Sequence, residues 1–494
     1  MMEKSDRGNR KVQYLIAFSV SLVSVAMGTY TAWPGPVMPK FHDNETGILV
    51  TDEEISWIVA ISSPGFVSGN LISRFVIDKY GRRATMLGSV IPIIIASLIA
   101  VFTVQTWPLY LVRFLWGLGV GVNATTANLY LAEIADKEIR GSLGLISRYM
   151  FSFGNLLMMC VGPFVSYKTL NYMLLGLPII HLLASFWIPE SPYYYLKEGK
   201  VDNARKVLRK IRGCKDEKIL EDQLLQMHTD VKNDMRHSTS ARELFTGKKY
   251  RRALVISTGL KFSQIAAGQL IIQEYLGLIM KESESEMALS TVFIIVGSLR
   301  FIVGVLASFL VDKLGRRPLL IYSYGGTGIF LLFIGIYFFL VQALNISIPS
   351  FNFVPLAGII SSSIISGLGF QSLIIVVPAE IFPLNVKAVA MTYISVFGGA
   401  LNFVITKAYQ SIKDYSGLYG VFWVFAAGSL FGCIFSIIYV PETKGKSLTE
   451  IQVELQGVLY ERSEVKKLNE VICQDDHDGC RELKELVSKN SNHV

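Results

Sequence analysis

Two short segments carry the same charged pattern, Asp-Lys-x-Gly-Arg-Arg, at residues 78–83 and 312–317. Each segment stands in a polar gap between two long apolar stretches. Carboxylate and guanidinium groups at this spacing favour charge-assisted hydrogen bonds, and they do not supply a nucleophile with its base. Because a short charged loop recurs in the same hydropathic setting, we predict that the chain consists of two related halves.

Two further charged motifs recur in the same order. The segment 133–140 is echoed by 380–387, and Pro-Glu-Ser at 189–191 is echoed by Pro-Glu-Thr at 441–443. We predict that these groups lie at facing helix ends on the cytosolic side, where their ion pairs lock and release an inner gate. Ordinary positive-inside topology without a gating role is the alternative. The predicted gating residues are Asp78, Arg82, Arg83, Glu133, Arg140, Glu190, Asp312, Arg316, Arg317, Glu380, Lys387 and Glu442.

The sequence offers no constellation for catalysis. It has no clustered His, no nucleophile beside a base and no phosphate-binding loop. The five Cys have no disulfide or metal spacing, and Cys473, His477 and Cys480 are poorly spaced for zinc. We therefore expect a protein that is not an enzyme and needs no cofactor or metal. The net charge of +8 is attributed to basic loops and not to a nucleic-acid partner.

Long apolar stretches recur along the chain, which is 51% hydrophobic and only 17% charged. Stretches of about 18 or more apolar residues are typical of membrane-spanning helices, which must satisfy their own backbone hydrogen bonds in lipid. We predict an all-α membrane protein with about twelve spans. The predicted spans are 12–35, 55–75, 84–104, 108–132, 141–163, 170–189, 252–278, 288–311, 318–341, 354–379, 388–410 and 418–440.

The order of apolar and charged segments predicts five regions. A cytosolic N-terminus (1–11) precedes an N-terminal six-helix bundle (12–190). A charged segment with helical spacing (191–251) is predicted to form an intracellular helical domain. A C-terminal six-helix bundle (252–441) and a charged cytosolic tail (442–494) follow.

The distribution of Lys and Arg predicts the orientation. Basic residues precede the first predicted span and follow the second, fourth and eighth, whereas the opposite loops are acidic or neutral. Both termini are therefore expected in the cytosol, and the protein in the plasma membrane. The sequon at Asn44 then lies in the first external loop and is a predicted glycosylation site; Asn345 is a second candidate.

These motifs resemble those of the sugar porter family of the major facilitator superfamily. The resemblance rests on residues 78–83, 133–141, 189–192, 312–317 and 441–452, and it extends over 12–455. Within the family, Trp33-Pro-Gly-Pro is similar to the insect trehalose-transporter-like branch. The resemblance implies a major facilitator fold of two six-helix bundles in a lipid bilayer, with a central sugar cavity reached by alternating access.

The segments expected to line that cavity depart from the family pattern. The seventh span keeps the first Gln of the pattern as Gln264, whereas its second Gln and its Asn are replaced by apolar residues. The aromatic stretch of the tenth span is replaced by Leu373-Ile374-Ile375, and the Asn-Trp pair of the eleventh by Gly398-Gly399. The predicted substrate-binding residues are Arg148, Gln264, Arg300, Gln371 and Asn402.

Two arginines inside predicted spans need an explanation. At a rise of about 1.5 Å per residue, Arg148 is placed about 12 Å and Arg300 about 18 Å into the membrane. They could pair with internal acids or carbonyls, bind sugar hydroxyls, or select an anionic solute. The residues leave these three readings open, and we expect both side chains to face the cavity.

We expect a facilitative carrier of a sugar, either a hexose or a trehalose-like disaccharide. Proton coupling in the family relies on an acid in the first span near an Arg in the fourth; Arg113 is present, but residues 12–41 contain no Asp or Glu. Glu274 is the one substitute acid, and it is expected as a polar residue near the external mouth. The alternatives are a carrier of an anionic or non-sugar solute and a non-transporting sensor. The sequence does not predict the oligomeric state.

Overall fold

The computed structural model describes residues 10–136, 138–212, 217–236, 241–283, 287–346, 349–446 and 448–456. The regular elements of this described part are all helices. Cys214, the terminal residues 1–9 and the tail 457–494, with Cys473, His477 and Cys480, lie outside it. The N-terminal half consists of α1 (Arg10–Ala32), α2 (Pro34–His42), α3 (Asp52–Ala60), α4 (Ser62–Tyr80), α5 (Arg82–Phe102), α6 (Trp107–Ile134), α7 (Arg140–Val161) and α8 (Tyr167–Ser185).

A helical linker joins this half to the next. It consists of α9 (Pro192–Lys197), α10 (Val201–Arg212), α11 (Glu217–Arg236) and α12 (Ala241–Thr246). The C-terminal half consists of α13 (Arg251–Ala266), α14 (Gln269–Glu274), α15 (Leu276–Glu282), α16 (Leu289–Leu314), α17 (Arg316–Phe338), α18 (Val354–Leu368), α19 (Phe370–Ile381) and α20 (Leu384–Tyr439), and α21 (Leu448–Gln456) follows it.

Nine helical stretches among the described residues are long and apolar enough to cross a membrane. The longest, Val386–Tyr439, contains a sharp kink at Gly417, whose φ is 74°, so it comprises two membrane-length arms. The helices α6 and α8, with 28 and 19 residues, pack in the same bundle. The predicted number of twelve spans is reached only when α6 and α8 are included.

Several predicted spans are broken helices. α1 ends at Ala32, two residues before Pro34, because a proline cannot donate a helical backbone hydrogen bond. The predicted span 252–278 is divided into α13, α14 and α15, with Gly268 in the left-handed conformation at φ 68°. A Cβ on Gly268 would lie 2.4 Å from the ring of Phe425, so only glycine fits this break. Gly369 similarly separates α18 from α19.

Close helix contacts through small residues hold the N-terminal half together. Gly28 of α1 and Gly154 of α7 lie against each other's backbone: a Cβ on Gly28 would lie 2.1 Å from the carbonyl oxygen of Phe151, and a Cβ on Gly154 would lie 2.0 Å from that of Val25. Such contacts let the backbones approach and gain packing energy where no hydrophobic effect drives association.

The two halves meet along a few helix pairs. α7 packs on α16, and α4 packs on α20. We call the end of the bundles that carries the loops 78–83 and 312–317 the basic side, and the end that carries residues 43–51 the opposite side. The linker lies on the basic side, where α10 packs against α1 and Arg212 pairs with Asp136.

Candidate functional site

A cavity of about 520 Å³ lies between the two halves. The N-terminal half contributes mostly apolar and aromatic side chains, including Tyr30 and Trp116, whose rings stack at 4.6 Å between centroids. The C-terminal half contributes the amide-bearing side chains Gln264, Gln269, Gln273, Gln371 and Asn402. The charged side chains of the lining are Arg113, Lys261, Glu274 and Arg300.

Four of the five predicted substrate-binding residues line this one cavity: Gln264, Arg300, Gln371 and Asn402. Asn402 also donates a hydrogen bond of 2.8 Å to Ser63 Oγ in the other half. Arg148 lies outside the lining. Its guanidinium donates to Ser372 Oγ at 2.5 Å, and this bond links α7 of one half to α19 of the other.

Arg300 is held by neutral acceptors of its own half. Its guanidinium donates to Gln273 Oε1, to the backbone oxygen of Gln269 at 3.2 Å and to Ser363 Oγ at 3.3 Å. The acceptors on Gln269 and Gln273 belong to α14, the short helix that begins after the Gly268 break. Because α14 is one of the pieces of a broken span, its backbone and side chains present polar groups at the depth of the cavity.

Lys261 is a cavity residue that the sequence reasoning missed. Its ammonium donates to Gln264 Oε1 at 2.9 Å, one turn along α13. A Cβ on Gly398 would lie 2.2 Å from Lys261 Cε, so the lysine stem occupies space that a larger residue 398 would fill. The available signal was a lysine within an apolar span, since an intramembrane cation is a functional-site hypothesis by default.

Arg113 and Glu274 form a buried ion pair across the halves, with a nitrogen–oxygen distance of 3.7 Å. Arg113 also donates to the backbone oxygens of Tyr30 at 2.8 Å and Ile58 at 3.0 Å, which fixes it to the N-terminal half. Glu274, expected as a polar residue near the external mouth, is only 3% exposed and lines the cavity. The sequence could not predict this pair because its members lie on different spans.

Further polar contacts close the opposite side between the halves. Lys281 of α15 pairs with Asp43, and Lys407 of α20 donates to Ser56 Oγ at 2.8 Å. Lys407 also lies 4.3 Å from the centroid of the Trp57 ring, where the cation and the ring attract each other. The hydrogen bond from Lys281 lowers the pKa of Asp43, so this contact stays charged at neutral pH.

On the basic side, the predicted gating residues of the N-terminal half whose side chains are described form one cluster. Arg82 donates to Glu133 through Nε at 3.0 Å and through Nη2 at 2.7 Å. The Glu190 carboxylate accepts from the backbone nitrogens of Arg82 at 2.9 Å and Arg83 at 3.1 Å, and so caps the start of α5. Asp78 pairs with Lys197 of the linker at 2.9 Å.

The C-terminal half repeats this arrangement. Arg316 pairs with Glu380 at 3.0 Å, and Glu442 accepts from the backbone nitrogens of Arg316 at 3.0 Å and Arg317 at 3.1 Å. Burial raises the pKa of the Glu442 carboxyl, but its backbone N–H donors together outweigh burial and leave that pKa below its usual value. Lys387 is half-buried in the first turn of α20.

The two clusters do not reach each other. Between the described side chains of the basic side, the ion pairs of the predicted gating residues stay within one half or, for Asp78, join that half to Lys197 of the linker. The side chains of Arg140 and Asp312 lie outside this description. The halves are thus in contact at the opposite side, and their clusters are separate at the basic side. This is one of the two arrangements that an alternating gate requires.

The family model described as sugar (and other) transporter matches residues 13–455. A facilitated trehalose transporter, Tret1, of Aedes aegypti is 32% identical over 459 residues, which cover 92% of this chain and 56% of that protein. The chain therefore spans only about half the length of this relative. The Tret1 of Apis mellifera ligustica is 31% identical over 460 residues, which cover 92% of this chain and 91% of that protein.

Solved structures share the fold. The xylose transporter XylE from E. coli, in a partially occluded inward open conformation, matches with a TM-score of 0.73 at 21% identity and covers 88% of this chain and 100% of that one. The all-helical major facilitator fold predicted from the sequence is thus confirmed. The resemblance to sugar porters, and within them to the insect trehalose transporters, is confirmed as well. The chain belongs to the sugar (and other) transporter family.

Proposed function

We propose that this chain transports a sugar, a hexose or a trehalose-like disaccharide, down its gradient by alternating access. The observation that carries the proposal is the cavity between the halves, where the amides of Gln264, Gln371 and Asn402 share a lining with the rings of Tyr30 and Trp116. Amides both donate to and accept from hydroxyl groups, and aromatic rings supply apolar surface for a pyranose. A volume of about 520 Å³ is in the range of small-molecule sites.

The gate is proposed to work through the contacts at the two ends of the cavity. The cross-half contacts of Arg113, Lys281 and Lys407 hold the opposite side closed, and they must break when the cavity opens there. In that second state, the clusters around Arg82 and Arg316 approach each other and close the basic side. Each cluster remains intact within its own half, so it moves as a unit.

Transport is proposed to be facilitative. Arg113, the fourth-span arginine, finds its carboxylate partner in Glu274 of the other half and not in the first span, which contains no Asp or Glu. The pair serves the closure of the opposite side in this proposal, and the sugar gradient alone drives net movement.

The protein is proposed to lie in the plasma membrane with the basic side and both termini in the cytosol. The excess of Lys and Arg in the loops of that side supports this orientation. Asn44 is exposed in the turn after α2 on the opposite side, where it could carry a glycan. Digestion of the cell-surface protein with a glycosidase tests both points. A mass shift that is lost in Asn44→Gln supports them, and an unshifted native protein contradicts the glycan.

Uptake into proteoliposomes tests the proposed transport. We expect saturable uptake of radiolabelled D-glucose or trehalose and none of L-glucose. Gln264→Ala should raise KM by roughly 2- to 10-fold, the range that corresponds to one lost hydrogen bond. Asn128→Ala is the matched amide control, since Asn128 is exposed on α6 and its amide donates to the Ala124 oxygen of its own helix. Retained sugar binding without any uptake would support the sensor alternative instead.

A further inference from the structure

The charges of the cavity lining do not balance. The lining contains three basic side chains, Arg113, Lys261 and Arg300, and a single acidic one, Glu274. Glu274 is paired with Arg113, which belongs to the other half. Lys261 and Arg300 are therefore left without a carboxylate among the described residues of the lining.

The partners found for these two cations are neutral. Lys261 donates to the amide oxygen of Gln264, and Arg300 donates to two oxygens of α14 and to the hydroxyl of Ser363. Burial of a cation without a counter-charge is unfavourable, and hydrogen bonds to neutral groups offset only part of the cost. A neutral sugar needs no such charges, because amides and hydroxyls suffice to bind it.

The two cations line the same cavity as the amides that would bind hydroxyl groups. Lys261 and Gln264 lie one turn apart on α13, and Arg300 is bonded to α14, which begins directly after the Gly268 break. A carboxylate has two oxygens, so it can accept from a guanidinium and from an ammonium that face the same cavity. Gln371 and Asn402 remain in the same cavity for the rest of the ligand.

We propose that the preferred substrate is a sugar acid, a polyhydroxylated solute whose carboxylate binds between Lys261 and Arg300. This inference rests on the proposed function and narrows it: the amides and rings bind the sugar body, and the two cations supply the counter-charge. Sugar acids of this class include hexuronates and aldonates.

The test compares D-glucuronate with D-glucose as substrates in proteoliposomes at neutral pH. We expect a KM for glucuronate at least tenfold below that for glucose, a difference typical of one added charged hydrogen bond. Lys261→Met keeps most of the stem that packs on Gly398 but removes the charge, and it should reduce the preference for glucuronate over glucose at least tenfold. Lys168→Met is the matched control, since Lys168 is exposed at the start of α8.

A second variant guards against misfolding. Lys261→Arg keeps the charge and should keep the preference for glucuronate over glucose. The inference is supported if Lys261→Met loses this preference and Lys261→Arg retains it. Saturable uptake of glucose without uptake of glucuronate overturns the inference and leaves the proposed function standing. Equal preference in Lys261→Met and the native chain overturns it as well. Uptake of neither solute rejects the inference, and the proposed function falls with it only if trehalose is not taken up either.

Discussion

The guanidinium of Arg113 and the carboxylate of Glu274 lie 3.7 Å apart, although they belong to opposite halves of the protein. Both side chains are buried, and Arg113 is further fixed to its own half by the backbone oxygens of Tyr30 and Ile58. Any separation of the halves on the opposite side must therefore break this pair. The ion pair lines the cavity and also joins the halves at that side.

Glu274→Gln should shift the protein toward a state that is open on the opposite side. Loss of one partner leaves the buried Arg113 charge uncompensated, at a cost of about 3–5 kcal/mol in the closed state. Spin labels at positions 49 and 344, exposed sites on that side in the two halves, should report longer distances in a cysteine-free background. Glu45→Gln, a change at an exposed residue, is the control. Unchanged distances in Glu274→Gln would contradict the role of the pair.

Arg82→Ala should slow transport and leave the order of substrate preference unchanged. The variant removes two hydrogen bonds to Glu133 and strands a largely buried carboxylate, so the cluster no longer moves as a unit. If the state in which the basic side is closed loses about 3 kcal/mol of stability, kcat should drop about a hundredfold. Arg74→Ala, at an exposed position of α4, is the control in the uptake assay. A changed substrate order would show that Arg82 acts on recognition.

Transport should proceed without proton movement. No acid lies in residues 12–41, and Glu274 is engaged with Arg113. In weakly buffered proteoliposomes, addition of substrate should leave the external pH unchanged; a substrate-dependent alkalinisation would overturn this expectation.

Ionisation of Asp43 should not change the rate of substrate uptake between about pH 5 and 7, because this carboxyl stays charged there. Lys281 lowers the pKa of Asp43 from 3.8, so its stabilising contact persists above that value and is lost only as the pH falls through the lowered pKa.

Arg148→Met should lower kcat and change KM little. Arg148 bonds to Ser372 across the halves and lies outside the cavity lining, so its loss alters the balance between states and not the contacts to substrate. A hydrogen bond from a charged group contributes about 1.5–3 kcal/mol, so its loss should lower kcat roughly tenfold or more. Arg148→Lys should recover part of the rate. A rise in KM with normal kcat would instead place Arg148 in contact with the substrate, as the sequence predicts.

Gly154→Ala should destabilise the N-terminal half. A methyl group there meets the backbone oxygen of Val25 at 2.0 Å, so α1 and α7 must move apart. Overpacking of this kind costs about 1–3 kcal/mol, and a lower melting temperature of the detergent-purified protein should reveal it. Gly144→Ala on the same helix is the control, because nothing lies within 4 Å of the added atom. Equal melting temperatures of the two variants would contradict the tight contact.

The membrane helices and the duplication could be predicted from sequence, because span length and loop charge are set by the bilayer itself. The breaks at Gly268 and Gly369 could not, since both lie inside stretches that the sequence predicts as single spans. A glycine in such a stretch fits a tight helix contact as well as a break, and Gly154 shows the first case.

Arg148 and Arg300 illustrate the limit for the candidate site. Counting residues gives depth along a helix, and by depth the two arginines look alike. The direction of a side chain around the helix axis depends on how that helix packs, and here it places Arg300 in the cavity and Arg148 on Ser372. Lys261 does not stand at a position of the family pattern described above, and the space beside Gly398 is visible only in three dimensions.

The amides and the unbalanced cations of the cavity come from the C-terminal half, whereas the N-terminal half supplies mainly apolar and aromatic surface. In evolutionary terms, a lineage can therefore acquire a new substrate by substitutions in one half of the predicted duplication while the other half is retained. A chimera that joins the N-terminal half of this chain to the C-terminal half of a relative should show the substrate preference of that relative.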